Sequence, residues 1–430
     1  MDPLGPFEPG PVITVATSGG PDSLALAFLT HAWARARGGR AIALIVDHGL
    51  RPESAAEAIQ VAGWLGATGI EHAVLAWNGP RPARGVQAAA RLARHGLIEA
   101  WCRDRGVLHV AYGHQRDDQA ETFLMRRRRD RHGEGLAAMA AVTERRYVRV
   151  LRPLLAIGRE RLIATLAALG HPWVDDPSNR NVAFERVRVR AWLPVLAHRG
   201  WPPERLAALA ACHGRERAVA DGRLAHWFGA AATLHPAGYA ILDGAVFRAT
   251  DRDLRAAALA KVIATVGARL YAPPREACAR LTGDAGRPRT LGGCVVLPHR
   301  GALIVAREPR AIGPALPLNG RPALWDGRFE VTGPSCEGEG FAVRRLGQDG
   351  LRRVKEWVDT RAWPRVVLAG LPSIWRLDEP VAIPHLHIDR MRDPGSLRFT
   401  ITWRPPQPLV APFIVGADVL GSRGQGGVGC

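Results

Sequence analysis

Several groups of side chains in the first 190 residues have the types and spacing to do chemistry. The first is Ser18-Gly19-Gly20-Pro21-Asp22-Ser23, directly after the apolar run VITVAT at 12–17. Adjacent glycines let a backbone turn with positive φ and approach a ligand closely. A turn opening into a helix presents free N–H groups to an anion, and Ser18 and Ser23 can add hydroxyl donors. Asp22 does not suit phosphate by itself; capping the helix or holding Mg2+ suits it better. No G-K-[ST] follows, so this is not a Walker A loop, and the spacing is not that of G-x-G-x-x-G. A phosphate loop without the Walker lysine suits an ATP cleaved between its α and β phosphates.

A second group is Asp47-His48-Gly49-Leu50-Arg51-Pro52-Glu53-Ser54. Asp47 and His48 could contact adenosine or position a water or metal; the structural alternative is an Asx turn with Ser54 capping the next helix. A third is Arg91 and Arg94, whose i, i+3 spacing puts both on one helix face within reach of one phosphate-rich ligand. The fourth is His114-Gln115-Arg116-Asp117-Asp118-Gln119-Ala120-Glu121-Thr122. Asp117, Asp118 and Glu121 crowd three carboxylates onto one helix start, which is costly unless a cation neutralises them. Mg2+ or a lysine ammonium would serve. Beyond them lie the basic run Arg126–Arg129 and the alternating Arg186, Arg188 and Arg190. On a helix alternate arginines point in different directions, toward packing and a polyanion both.

The elements that must position these groups read as α/β. Strands are expected at 12–17, 41–47, 72–77 and 107–113, and helices at 23–37, 52–65 and 85–106. That alternation implies a parallel sheet with right-handed crossovers and a ligand crevice at the carboxyl ends of the strands. Three of the four strands run into one of the groups above. From about Gly158 the pattern turns helical, and the Trp201-Pro202-Pro203 stretch reads as a boundary. The expected division is a catalytic domain at 1–200, a helical or mixed domain at 201–312 and a small mixed or β-rich domain at 323–430. Within it, GYAILDGAVFRAT reads as a strand pair, 289–307 as a hairpin, 313–322 as a Pro/Gly-rich linker and 347–358 as a helix.

The 430 residues carry 58 basic against 40 acidic side chains, a net charge of +18. A phosphate backbone is the commonest partner of such a surface. Hydrophobic content of 47% and charged content of 23% describe a globular chain. The six cysteines form no C-x-x-C pair, which disfavours a zinc ribbon or iron–sulfur site. No stretch approaches the roughly 18 apolar residues of a membrane span, and MDPLGPFEPGP is not a secretory signal, so a cytoplasmic location is expected.

SGGPDS resembles the PP-loop of the ATP pyrophosphatase superfamily, and residues 12–195 resemble the tRNA(Ile)-lysidine synthetase family at five further places. DHGLRPES is similar to that family's DHGLR-x-ES, ARLARH to its AR-x-x-RY, and HQRDDQAET to its HH-x-DDQAET with Gln115 replacing a histidine. RPLL at 152–155 and DPSN at 176–179, with Phe184 and the trailing arginines, complete the likeness. At 129–132 that family has a small RGSG stretch; only Arg129 fits here. The resemblance implies a PP-loop catalytic domain that uses ATP and Mg2+. It implies adenylation of the wobble cytidine of an isoleucine tRNA with a CAU anticodon, then attack by L-lysine to form lysidine.

In those terms Ser18, Gly19, Gly20, Pro21, Asp22, Ser23, Asp47 and His48 are expected at the nucleotide, and Asp22 and Asp118 at Mg2+. Asp22, His114, Asp118 and Glu121 are the expected catalytic groups. Asp118 and Glu121 could equally line the lysine pocket, one accepting the ammonium proton. Arg51, Arg91, Arg94, Asp117, Arg186, Arg188 and Arg190 are expected at the substrates. A PP-loop tRNA thiolase, a catalytically inactive tRNA-binding protein and a small-molecule amide synthetase are the alternatives. Dimerisation stays open.

Overall fold

The computed structural model describes residues 1–79, 86–129, 134–175, 181–282, 287–334, 340–390, 399–411 and 413–420. They form two compact units, Met1–Asp221 together with the segment from Ala411 onward, and Gly222–Val410.

The first unit opens with β1 (Val12–Thr17), α1 (Pro21–Arg35), β2 (Arg40–Asp47), α2 (Ser54–Ala67), β3 (Glu71–Ala76), α3 (Val86–Asp104), β4 (His109–Tyr112) and α4 (Arg116–Arg129). Next come β5 (Val142–Glu144), β6 (Arg149–Leu151), α5 (Arg159–Ala168), α6 (Glu185–His198) and α7 (Pro203–Ala231). The sheet order is β3-β2-β1-β4-β6-β5, parallel except for β5 against β6. β1 lies inside it, with Val12 opposite Arg40 on one side and Ile13 opposite His109 on the other. Ile13, Thr14 and Val15 are buried although they point to opposite faces, as expected of a central parallel strand. α1 covers the sheet with Leu24, Ala25, Leu26 and Ala27 all buried, which the small residues in this run permit. The strand order reverses beside β1, with β2 and β3 to one side and β4 and β6 to the other. A crevice for ligands opens at such a reversal, at the carboxyl ends of the strands.

The second unit continues with β7 (Ala232–His235), β8 (Tyr239–Leu242), α8 (Gly244–Ala249), α9 (Arg252–Val266), α10 (Arg275–Thr282), β9 (Arg289–Leu291), β10 (Cys294–His299) and β11 (Ala302–Arg307). These five strands make an antiparallel sheet in the order β7-β8-β11-β10-β9. β12 (Leu316–Pro317), β13 (Ala323–Trp325), β14 (Phe329–Thr332), β15 (Phe341–Arg345), α11 (Gly347–Val354), α12 (Arg365–Gly370), β16 (Pro372–Arg376), β17 (Glu379–Ile383), β18 (Ile388–Asp389) and β19 (Thr400–Trp403) follow. They form a five-stranded and a three-stranded antiparallel sheet. Under them Asp326 is buried between Arg328 at 2.7 Å and Arg307 at 3.4 Å.

Three expectations about organisation differ from the structure. The division between units falls at Asp221, inside α7, because Pro202-Pro203 starts that helix instead of ending a domain. Residues 244–249 are helical: Asp243 accepts the N–H groups of Ala245 at 2.8 Å and Val246 at 2.9 Å, an N-cap that converts the second half of the expected strand pair. The stretch 313–322 is not a bare linker, since β12 pairs with β15 and Leu318 donates its N–H to Phe341 O at 2.9 Å. Among the described residues no helix is long and apolar enough to cross a membrane.

Candidate active site

The phosphate loop leaves β1 at Ser18. Gly19 sits at φ +82, and a Cβ there would lie 2.6 Å from Val61 Cγ2. Only glycine fits this point, for conformation and space alike. The loop is held from within: Ser18 N–H donates to Ser23 Oγ at 3.1 Å, and Ser23 Oγ donates to Gly20 O at 3.0 Å. Ser23 therefore shapes the turn, while Ser18 is exposed to a ligand. Gly20 caps α1 with no side-chain bond, and Pro21 occupies the first turn. Asp22 does not cap the helix. Its Oδ1 is buried without a partner. Burial pushes its carboxyl up to about 6; Arg159 opposes the shift, while Asp118 and Asp117 add to it. A buried, partnerless carboxylate oxygen at an anion-binding turn fits a divalent cation.

The acid-rich start of α4 lies beside that loop: a Cβ on Gly113 would come within 3.0 Å of Asp22 O. Gln115 is the N-cap. Its Oε1 accepts Asp117 N–H at 2.6 Å, and Asp118 Oδ2 accepts Gln115 N–H at 2.9 Å, a reciprocal capping box. The cations expected to neutralise the acids come from the chain itself. Arg186 Nε donates to Glu121 Oε2 at 2.6 Å and its Nη2 to Asp118 Oδ1 at 3.0 Å, while Arg190 Nε donates to Glu121 Oε1 at 2.6 Å. Glu121 is fully buried. Arg186 and Arg190 thus face the acids, and Arg188, on the other side of α6, donates to Val182 O and Ala183 O. Each Asp118 oxygen already accepts one hydrogen bond, whereas Asp22 Oδ1 has none, so Asp22 is the more open of the two to a divalent cation. Among the described residues no three acidic, histidine or cysteine side chains gather as a metal centre. Among the described residues Asp117 has the weak company of Arg116 at 3.8 Å, and burial raises its carboxyl, with Arg116 lowering it.

At the end of β4 a cationic cluster gathers around aromatic rings. His95 Nδ1 lies 2.7 Å from Tyr112 Oη, and His114 stacks on Tyr112 with ring centres 6.0 Å apart. Burial drives His114 well below the ordinary histidine range, and Arg152, Arg186, Arg91 and Arg94 push it the same way. His95 falls to about 3, first through burial and then through Arg145 and Arg91. Both rings therefore favour the neutral form, in which one ring nitrogen keeps its N–H and the other can accept a hydrogen bond. Arg152 is pushed down to about 10 by burial and then by Arg145, while its Nη1 donates to Ala140 O and Thr143 Oγ1. So many guanidinium groups about neutral rings suit a polyanion.

At the end of β2, Asp47 Oδ1 accepts Gly49 N–H at 2.8 Å and Ser54 Oγ–H at 2.7 Å, an Asx turn. Ser54 is the first residue of α2, not its cap; Glu53 holds that position without a side-chain bond. His48 Nδ1 is buried without a partner, and burial followed by Arg94 lowers the ring's pKa. Arg51 pairs with Glu57 at 2.9 Å. Arg159, Arg145 and Tyr112 lie among these groups and escaped sequence reasoning, whereas Arg152 was read only as part of the RPLL likeness. Arg159 at the start of α5 had a signal, since Gly158 before it reads as a helix N-cap. The basic run divides its labour: Arg126 Nη1 closes on Gly135 O and Ala138 O at 2.7 Å, Arg129 pairs with Glu185, and Arg127 is exposed. The DPSN stretch at 176–179 and residues 130–132 lie outside the described residues.

Residues 4–196 match the family model of a PP-loop domain. A tRNA(Ile)-lysidine synthase of Bradyrhizobium sp. is 48% identical over 207 residues, covering 48% of this chain and 58% of that protein. The protein of that name from Ruegeria pomeroyi is 36% identical over 385 residues, 88% of this chain and 89% of its own length. That from Rhizobium meliloti is 38% identical over 387 residues, covering 84% and 79%. The alignment with the Bradyrhizobium protein therefore spans little more than half of it, whereas the other two extend over most of both chains.

Proposed function

Because the chain belongs to the tRNA(Ile)-lysidine synthase family, we propose that it joins L-lysine to C2 of the wobble cytidine of an isoleucine tRNA with a CAU anticodon. One observation carries this reading: the phosphate loop and the acid-rich helix start lie side by side where the strand order reverses.

In the first step the cytidine O2 attacks the α-phosphate of ATP, and pyrophosphate leaves. The residues asked for are donors for developing phosphate charge and a frame that aligns attack. Free N–H groups of the Gly19-Gly20 turn and the α1 start, with the Ser18 hydroxyl, answer the first need. His48, neutral and with an unpartnered buried nitrogen, suits the adenosine side, and the Asp47 turn holds it there. Mg2+ would sit at Asp22 and supply charge neutralisation of the phosphates.

In the second step the lysine ε-amine displaces AMP from C2. The ammonium must first lose a proton, and the raised carboxyls of Asp117 and Asp118 are suited to accept it. Arg91 and Arg94, whose charges act on His114, suit phosphates of the anticodon loop, where a single-stranded base can be splayed out.

The test is to incubate the protein with ATP, Mg2+, labelled lysine and the CAU-bearing isoleucine tRNA. Label entering the tRNA only with ATP is the expected result. Tight tRNA binding without label would favour an inactive binder, and ATP-dependent sulfur transfer a thiolase.

A further inference from the structure

The acid pair expected to seat the incoming amino acid, Asp118 and Glu121, already holds a cation. Arg186 reaches between Asp118 and Glu121, with bonds of 3.0 Å and 2.6 Å. About a third of its side chain faces solvent, whereas Glu121 is wholly enclosed. A buried carboxylate stripped of its partner is strongly destabilising, so such a pocket does not stay empty. Arg190 bonds Glu121 alone, from the same face of α6 one turn later.

We propose that Arg186 is a stand-in for the substrate: its guanidinium occupies the seat that the lysine ε-ammonium takes in turnover, and lysine binds by exchange with it. This rests on the lysidine-forming reading and adds the residue that controls access of the amino acid. Two features point to Arg186 as the group that leaves. It bridges both acids, as an ammonium lodged between them would. Its exposed third, which Arg190 shares, gives it a route to water but does not single it out. Arg190 stays behind to keep Glu121 paired during the exchange. The ammonium is the more compact cation, with three rotatable donors, and it can satisfy both acids from one point. An occupied seat weakens apparent lysine binding in inverse proportion to the fraction of time Arg186 leaves it free. It leaves the adenylation step, which precedes lysine, untouched.

The wild-type protein offers a direct measurement. Phenylglyoxal modification of Arg186, read by peptide mass spectrometry, is expected to speed up when lysine is added, because exchange frees the guanidinium. Protection, or no change, overturns the proposal. In Arg186→Met, the KM for lysine is expected to fall about tenfold, and added guanidinium ion to inhibit competitively with lysine. Arg186→Lys, whose ammonium reaches the same acids, is expected to keep a KM near wild type. A KM unchanged or raised in Arg186→Met, or activity restored by guanidinium, would make Arg186 a required positioning residue and sink the exchange. Failure of wild-type protein to put lysine into tRNA would instead refute the underlying reading.

Discussion

Replacing Asp22 by Asn separates two roles that look alike in a sequence. The carboxyl sits near 6 in the fold against 3.8 in the unfolded chain, mainly through burial. The native state therefore holds the extra proton between those values, and stability falls as pH rises through that window. At about 1.4 kcal/mol per pH unit, ionised Asp22 destabilises the ligand-free protein by roughly 3 kcal/mol at about pH 8, and by roughly 1 kcal/mol at about pH 4.5. Asn lifts that penalty. Urea unfolding of ligand-free Asp22→Asn is expected to show a gain in stability that grows by roughly 2 kcal/mol between those two pH values. ATP–pyrophosphate exchange in the presence of tRNA is expected to drop by at least about a hundredfold. Stability gained where function is lost marks a residue held for chemistry. A loss of about 1 kcal/mol, the same at both pH values, would mean that Asp22 serves the helix start after all.

Gly19→Ala meets both the left-handed backbone and Val61. It is expected to lose roughly 2–4 kcal/mol in thermal unfolding, with Val61→Ala restoring only the steric part. Gln115→Ala removes half of a capping box, so about 1 kcal/mol of stability should go, with lysine and ATP affinities shifting less than catalysis. Asp326→Asn leaves Arg328 buried without its countercharge; a loss of roughly 3–5 kcal/mol in the second unit's unfolding is expected, with ATP binding by the first unit unchanged.

The first four strands and three helices were legible because a central parallel strand needs an unbroken apolar run, and VITVAT is one. So was the turn from β1 into α1, since the whole hexapeptide SGGPDS, more than its paired glycines, lies between a buried strand and a helix. The partners of the three acids were not. Arg186 and Arg190 are four apart and share a helix face, which the sequence does state, but nothing local says that this face meets α4 some 65 residues earlier. Gln115 reads as a departure from a histidine; the structure shows it as a cap, a role its amide oxygen performs by geometry alone. The WPP stretch misled because the same prolines mark helix starts and domain edges.

The late segment around Phe413–Val415 returns to the first unit. Ile414 O accepts Ala141 N–H at 2.8 Å, Phe413 and Val415 are buried with Ala137 and Ala211, and Arg217 stacks on Phe413 at 4.7 Å. During synthesis the sheet that carries the phosphate loop emerges first, yet its packing closes only after nearly two hundred further residues have left the ribosome. A nascent chain halted anywhere within the second unit holds an unfinished first unit, with the edge at Ala141 open. Assembly of the ATP-binding half is therefore completed by a stretch translated after the second unit.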